Sequence, residues 1–537
     1  MGTLAVRSRI AIRNEPGLER LYDPLSDDLV RDGPVARARF LSRWSDDRGL
    51  TALANAKRRA LPRELAAELA EYHRRLGAAP ASLAALERLA RGEAVCAVAG
   101  QQPAPLGGPL YSLHKIASTV GLAAVVTART GVPCVPLFWM HGEDSDFAEI
   151  RGATLADAAL AIHELALPAA AHRDGALVGG IAVAPLGALE REALALWEGL
   201  PGVAALRARM AQGSEAARDL GEAYSALVLA LFAEQGVVVV DPRLPAFRAA
   251  ARPVLERYLA HADQLGAAVR RAGAALERET GRRPLADQAL DSFVFAVEDG
   301  TRRKVTPAEA TALGPGARLS PSVALRPPLQ DAVFPTVAMA CGPGEAAYLA
   351  QLRELFEGLE VHAACPVMRL GATWLPDAAI SLIETSGATP LEVISGTDAV
   401  VRRLAEARTP AAVAAALTRA RAAAAEGLQR FAESAREVDA SLPQLVESAR
   451  GKVDYQFARL AEGLHAKLRH RLERQHPEWL RVRYYLTPGD KLQERRIASL
   501  DVVARRGAAV VAELCELGAE HARRIAAGVY EHLVLDL

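Results

Sequence analysis

Residues 94–100 read AVCAVAG and residues 133–140 read PCVPLFWM. Each is a short continuous apolar run, the pattern of a strand buried on both faces. Between them lie a polar, Gly/Pro-rich stretch, QQPAPLGGP (101–109), and a helical stretch from Tyr111 to Thr130 that Gly131 stops. Strand, loop, helix and strand within about fifty residues is the size of a βαβ crossover unit. The natural product is a parallel sheet with helices on both faces. Gly236–Asp241 (GVVVVD) supplies another buried strand, with Asp241 at its carboxyl end, and Ser292–Val297 (SFVFAV) a further one in an insertion.

Outward from this core, residues 1–92 read mostly as helices. Pro62 opens one of them, with apolar residues three or four apart behind it. The core itself spans 93–395, and its Pro/Gly-rich stretch Pro307–Pro328 is a connection with little periodicity. From 396 to 480 the pattern is helical. Val453, Phe457, Leu460, Leu464 and Leu468 recur at spacings of three and four, and Ser441-Leu-Pro443 reads as a turn. An antiparallel hairpin with arms of about thirty residues, or ~45 Å, follows. It is either a packing pair or a dimerisation arm, since a long hairpin carries more apolar stripe than one partner covers. Residues 481–537 are expected to return to the core.

Of 537 residues, 64 are Lys or Arg and 64 are Asp or Glu, a balance that points to neither nucleic acid nor an anionic membrane as partner. The five cysteines (Cys96, Cys134, Cys341, Cys365 and Cys515) are scattered and form no C-x-x-C pair, so neither a disulfide framework nor a zinc knuckle is expected. Met1–Tyr22 carries Arg7, Arg9 and Arg13 without a sustained apolar stretch behind them, unlike a signal peptide. No run approaches the ~20 apolar residues of a membrane span. These readings place the protein in the cytoplasm with its thiols reduced.

In open α/β sheets ligands bind beyond the carboxyl ends of the strands, which selects two loops. The first runs from Gly100, Gln101 and Gln102 through Gly108 and Tyr111 to His114 and Lys115. It is neither a dinucleotide fingerprint nor a P-loop. It is a Gly-rich turn entering a helix, which either holds an anion on free N–H groups or is a tight turn with a solvated His-Lys pair. The second, His141-Gly-Glu143-Asp144-Ser-Asp146, crowds three carboxylates at a strand end, where they can act as base, ligand or amine clamp, or cap the next helix. No metal site is assigned to it, because its spacing is not a calcium loop and one His beside acids is weak as a zinc site. Further on, Arg326 can grip an anion in bidentate fashion or serve in a structural ion pair. Gly342-Pro-Gly344-Glu345 opens a helix as an anion cradle or a plain cap.

Four strings in order resemble the bacillithiol-biosynthesis cysteine-adding enzyme family (BshC): GQQPAPLGGPLYSLHK (100–115), VPLFWMHGEDSDFAEI (135–150), SPSVALRPPLQDAVFPTVAMACGPGEAAYLAQL (320–352) and PGDKLQER (488–495). The likeness runs from about residue 95 to the end. It is thin over residues 1–90 and in the hairpin arms. It carries over to Gly100, Gln101, Gln102, Gly108, Pro109, Tyr111 and Lys115; to Phe138, Trp139, Glu143, Asp144, Asp146, Phe147 and Glu149; to Arg326, Gln330, Pro335, Gly342, Pro343, Gly344, Glu345 and Tyr348; and to Arg369 and Leu492–Arg495. It departs where the family usually reads Glu-Asp-His-Asp, because Ser145 stands at the His position. His141 and His114 also replace other residue types.

The resemblance implies a Rossmann-like, nucleotidyltransferase-type core with inserted connecting segments and a C-terminal coiled-coil hairpin that makes a homodimer. It implies a ligase adding cysteine to glucosaminyl-malate, the last step to bacillithiol, and some family members have been seen with an adenine nucleotide. Forming an amide from a carboxylate requires activation, so ATP is the expected driver, with Mg²⁺ its usual companion. On this reading Glu143, Asp144, Asp146 and His114 are the catalytic candidates, with Asp144 and Asp146 foremost as general base. Gln101, Gln102, Gly108, Tyr111, Lys115, Trp139, Arg326, Gly342, Gly344, Glu345 and Arg369 are candidates for binding substrate or nucleotide, with Lys115 near phosphates and Arg326 on the malate carboxylates. Two rivals remain: a generic nucleotidyltransferase, and a helical scaffold without catalysis.

Overall fold

The computed structural model describes residues 4–314, 316–439 and 441–537; Pro315, inside the expected connection, lies outside them. The chain divides into two compact units, Met1–Trp374 with Pro488–Leu537, and Leu375–Thr487.

In the first unit the expected parallel sheet is present. Its strands are β1 (Val95–Gln101), β2 (Cys134–Met140), β3 (Val238–Val240), β4 (Thr336–Cys341) and β5 (Cys365–Met368), in spatial order β5-β4-β1-β2-β3. Every neighbouring pair is parallel, with Gly100 opposite Trp139 and Ala338 opposite Ala97. β1 is central, and alternate residues feed two cores because side chains alternate across a strand. Cys96 and Val98 join Leu137, Trp139, Val240 and Phe247 on one face. Val95, Ala97 and Ala99 join Leu122, Val126, Val337 and Ala340 on the other. The chain winds outward from β1 to β3, then returns to the other side of β1 to lay down β4 and β5. The switch point of this doubly wound sheet therefore lies between β1 and β4.

Helix α1 (Leu110–Thr130) follows β1 and ends at Gly131, whose φ of 70° is the left-handed cap the sequence predicts. It meets the helix Ala509–Ala526 so closely that a Cβ at Gly121 would lie 2.2 Å from the backbone nitrogen of Ala519. By length and composition α1 would pass as a membrane span, contrary to the expectation that no run approaches one, yet 78% of its apolar window is buried in this core.

The division of the chain differs from the expected boundaries at 92, 395 and 480. Five helices fill residues 24–90 as expected, but the N-terminal stretch belongs to the first unit and also carries a strand, Val6–Ala11, paired antiparallel with the C-terminal strand Glu531–Asp536, Arg9 opposite Leu533. A charged, half-exposed edge strand of six residues lacks the apolar run that marked β1. The second unit begins at Leu375, before the hairpin itself. Its two long helices, Ala411–Ala435 and Leu442–Gln475, have 25 and 34 residues, the longer spanning about 50 Å. Arg421 and Asp454 link them at 2.8 Å.

Candidate active site at the strand switch point

The carboxyl ends of β1, β2, β4 and β5 deliver most of the expected residues to one place. Lys115, on the first turns of α1, reaches back across the switch point. Its Nζ donates to Gly100 O at 3.0 Å and Gln101 Oε1 at 3.1 Å, and stands 2.8 Å from Glu345 Oε2. An ammonium has three donors, so Lys115 is fully committed rather than a solvated or phosphate-ready cation. Glu345 Oε2 also accepts the Gly342 N–H at 2.9 Å. The Gly342–Gly344 turn is therefore capped from within and presents a carboxylate instead of an empty anion cradle. Gln101 Nε2 donates to the Tyr111 hydroxyl at 3.1 Å, and that hydroxyl is pushed up to about 12 by burial and by Glu149.

The acidic loop after β2 is tied to the same spot. Gln102 Nε2 donates to Asp144 Oδ2 at 3.0 Å, and Asp144 Oδ1 accepts the Ser145 N–H at 2.7 Å. Burial raises the Asp144 carboxyl, but Arg326, Arg302 and the loop N–H groups outweigh it and hold the group below the usual carboxylate range. Asp146 is exposed and caps the short helix Phe147–Ile150, accepting the Glu149 N–H at 3.1 Å. Glu143 is buried and paired with Arg248 at 2.7 Å. Arg326 NH1 faces His141 Nδ1 at 3.1 Å. Desolvation, Arg326 and Lys115 keep His141 far below its usual value, so it is neutral.

Three expected site residues are committed to structural partners instead, although Arg369 stays beside the cluster, 5.6 Å over the Tyr111 ring. His114 has no exposed surface. Its Nδ1 lies 3.1 Å from Glu494 Oε2 and its Nε2 accepts from Trp374 Nε1 at 3.3 Å, so both ring nitrogens are used and neither is left for catalysis. Arg369 grips the same Glu494 in bidentate fashion, at 2.9 and 2.6 Å. Trp139 packs edge-on against Phe247, ring centroids 5.0 Å apart, inside the core. β2 is buried on both faces, so its alternate side chains point into core rather than into the site. Gly108 is structural too: its φ of 68° ends the turn before α1.

Two participants were not assigned a role from sequence. Glu149 hydrogen-bonds Gln102; its carboxyl is raised by partial burial and by Asp146 and Asp144, against the pull of Gln102 and Lys115. It matched the family strings but sits beyond the obvious acidic run. Arg302 comes from an insertion hairpin, Val294–Glu298 with Thr301–Lys304, whose sequence carries no site signature. Its guanidinium lies 3.7 Å over the Phe295 ring and its NH1 3.8 Å from Asp144 Oδ1. Beside Glu143 opens a cavity of about 690 Å³, walled by Phe247, Leu255, Leu259 and Leu319, with Arg248 and Arg318 among its lining. That is within the range of small-molecule pockets.

Carboxylates and guanidinium groups gathered at the switch point of a Rossmann-like sheet define a small-molecule enzyme of the doubly wound α/β class. Residues 23–370 match the family model described as bacillithiol biosynthesis BshC, N-terminal Rossmann-like domain, and 372–524 match the BshC C-terminal coiled-coil domain. The chain belongs to the BshC family. It is 30% identical over 508 residues to a protein of Geobacillus kaustophilus (strain HTA426), covering 88% of this chain and 91% of that one. It is 29% identical over 471 residues to one of Koribacter versatilis (strain Ellin345), covering 84% and 87%. Both relatives are named "Putative cysteine ligase BshC".

Proposed function

We propose that the chain joins L-cysteine to the amine of glucosaminyl-malate, forming the amide of bacillithiol in the last step of its synthesis, in the cytosol. The observation that carries this reading is the switch-point cluster, which sets one carboxylate with a raised pKa beside groups suited to an anionic acceptor. A base poised nearer neutrality than an ordinary carboxylate is suited to take the proton an attacking amine must lose. Glu149 fits that task better than Asp144, whose two oxygens are occupied and whose charge is stabilised by arginines. Asp144 then orients Gln102, and Arg326 meets a carboxylate of the malyl group. The five free cysteines suit a reducing compartment.

Amide formation from a free carboxylate in water is uphill, so ATP is taken as the activating co-substrate of the cysteine carboxyl. Lys115 does not fit a phosphate-binding role while its donors are spent. The cavity beside Glu143, with Arg248 and Arg318 in its lining, has the room and charge for the nucleotide. Among the described residues no group of three or more His, Cys, Asp or Glu is arranged to hold a metal ion, so Mg²⁺ would arrive on the phosphates.

A homodimer through the hairpin is part of the proposal. Phe431, Leu445, Tyr455 and Leu460 lie on its two helices, each more than half exposed, which is apolar surface in need of cover.

The test is a mass-spectrometric product assay with purified protein, cysteine, glucosaminyl-malate, ATP and Mg²⁺, each omitted in turn. Protein-dependent bacillithiol supports the reading. Nucleotide turnover without consumption of cysteine would replace it with a nucleotidyltransferase reaction.

A further inference from the structure

Several charged side chains around the switch point have a close opposite partner. Lys115 is matched by Glu345, Arg248 by Glu143, and Arg369 by Glu494. Arg302 and Arg326 both bear on Asp144, and the other carboxylate acting on Arg302, Glu143, is taken by Arg248. Arg302 stands 3.8 Å from Asp144, and both guanidinium groups depress its pKa. Among the described residues Arg302 has no other ion pair and Arg326 has none. Their remaining polar neighbours are uncharged: Arg302 NH2 donates to Pro321 O at 2.7 Å, and Arg326 faces the neutral His141. The Arg302 side chain is only 8% exposed, and its Nε is buried without a hydrogen-bond partner. Asp146 is exposed, and Glu149 hydrogen-bonds Gln102 and repels Asp144 rather than pairing with either arginine. Burying a guanidinium with an unmet donor is costly unless an anion completes it.

From the unmet donor of Arg302 and the absence of an ion pair at Arg326 among the described residues, we infer that the two arginines form a carboxylate-binding site beside Asp144 that holds the malyl end of the acceptor. A bound carboxylate would complete the Arg302 donor that is left unmet. The planar guanidinium fork suits that group in a way an ammonium does not. The Phe295 ring beneath Arg302 and the Pro321 carbonyl fix the plane of the fork. Arg302 is thus a specificity residue, delivered over the sheet by the insertion hairpin. It selects an acceptor that carries a carboxylate over the bare amino sugar. The inference rests on the proposed acceptor, but the site's affinity for a carboxylate can be measured without turnover.

The test has two arms. In the first, L-malate is titrated by calorimetry into the full-length protein, its R302Q variant and its R302K variant. Wild type is expected to bind L-malate and not its uncharged dimethyl ester. R302Q should lose about ten- to a hundredfold in affinity, the usual effect of removing one charge-assisted pair, and R302K should recover only part of it. Circular dichroism that matches wild type for R302K keeps this arm readable if R302Q is unstable. R302K and R302Q binding malate as wild type does would overturn the site. In the second arm, R302K should raise KM for glucosaminyl-malate far more than it lowers kcat and leave KM for cysteine and ATP in place. A rise confined to cysteine or ATP would overturn the assignment to the acceptor. Absence of bacillithiol even with wild type would remove the proposed function while the malate titration still decides the site.

Discussion

Acidification from pH about 7.5 to about 5 is expected to remove much of the stability of the Rossmann-like unit, because its buried histidines are built to be neutral. His73 shows why. Its Nδ1 lies 2.7 Å from Leu69 O and its Nε2 accepts the Val239 N–H at 3.1 Å, so a second ring proton would oppose a backbone N–H. Burial lowers His73, His521 and His532 to about 4. A histidine whose folded value is depressed is protonated first in the unfolded chain. Its contribution is therefore fully present above the unfolded value of roughly 6.5 and is lost as pH falls toward the folded one. Each unit of pH in that window costs about 1.4 kcal/mol per histidine. By pH 5 the three together give up about 6 kcal/mol, comparable to the whole stability of many domains. Burial also lowers His114, which acts in the same direction. Guanidinium denaturation followed by tryptophan fluorescence at pH 7.5, 6.5, 5.5 and 5 would measure it, with the midpoint expected to fall steeply below pH 6.5 at constant slope. A midpoint flat between pH 7.5 and 5 would refute the neutral, buried assignment of these rings.

Glu149→Gln should lower kcat of bacillithiol formation about a hundredfold or more, within the range for loss of a general base, and abolish the acid limb of the pH–kcat profile; an unchanged acid limb would return the role to the loop aspartates. Glu494→Gln should destabilise the protein by about 3 kcal/mol, since it leaves Arg369 buried without its counter-charge, and Arg369→Met combined with it should recover part of the loss in a denaturation cycle. Leu460→Glu with Tyr455→Glu on the exposed hairpin should give a monomer in light scattering while leaving the fold's circular dichroism intact; a dimer that survives both changes would place the interface elsewhere.

How much of the site could be read beforehand depended on how local its cause was. The acidic run 143–146 and the Gly-rich turn 107–109 are local features, and the structure does put the acidic loop and Gln101, Gln102, Tyr111 and Lys115 in one place. The state of those groups was not local. Lys115 looks free until β4 brings Glu345 to within 2.8 Å. His114 looks like a solvated neighbour of Lys115 until Trp374 and Glu494, hundreds of residues away in the chain, take both of its nitrogens. Arg302 lies in a hairpin with no signature and acquires meaning only when that hairpin folds over Asp144.

The sequence alone determined the elements with strong short-range causes. Continuous apolar runs specify β1 and β2, Gly131 ends α1, and three-and-four spacing specifies the long hairpin, because these depend on side-chain periodicity and backbone freedom within a few residues. Tertiary structure alone decided the strand order β5-β4-β1-β2-β3, the pairing of Val6–Ala11 with Glu531–Asp536, and which charges are neutralised. Those outcomes arise from contacts between segments far apart in the chain, where burial sets the energy of every charge and no local pattern records the partner.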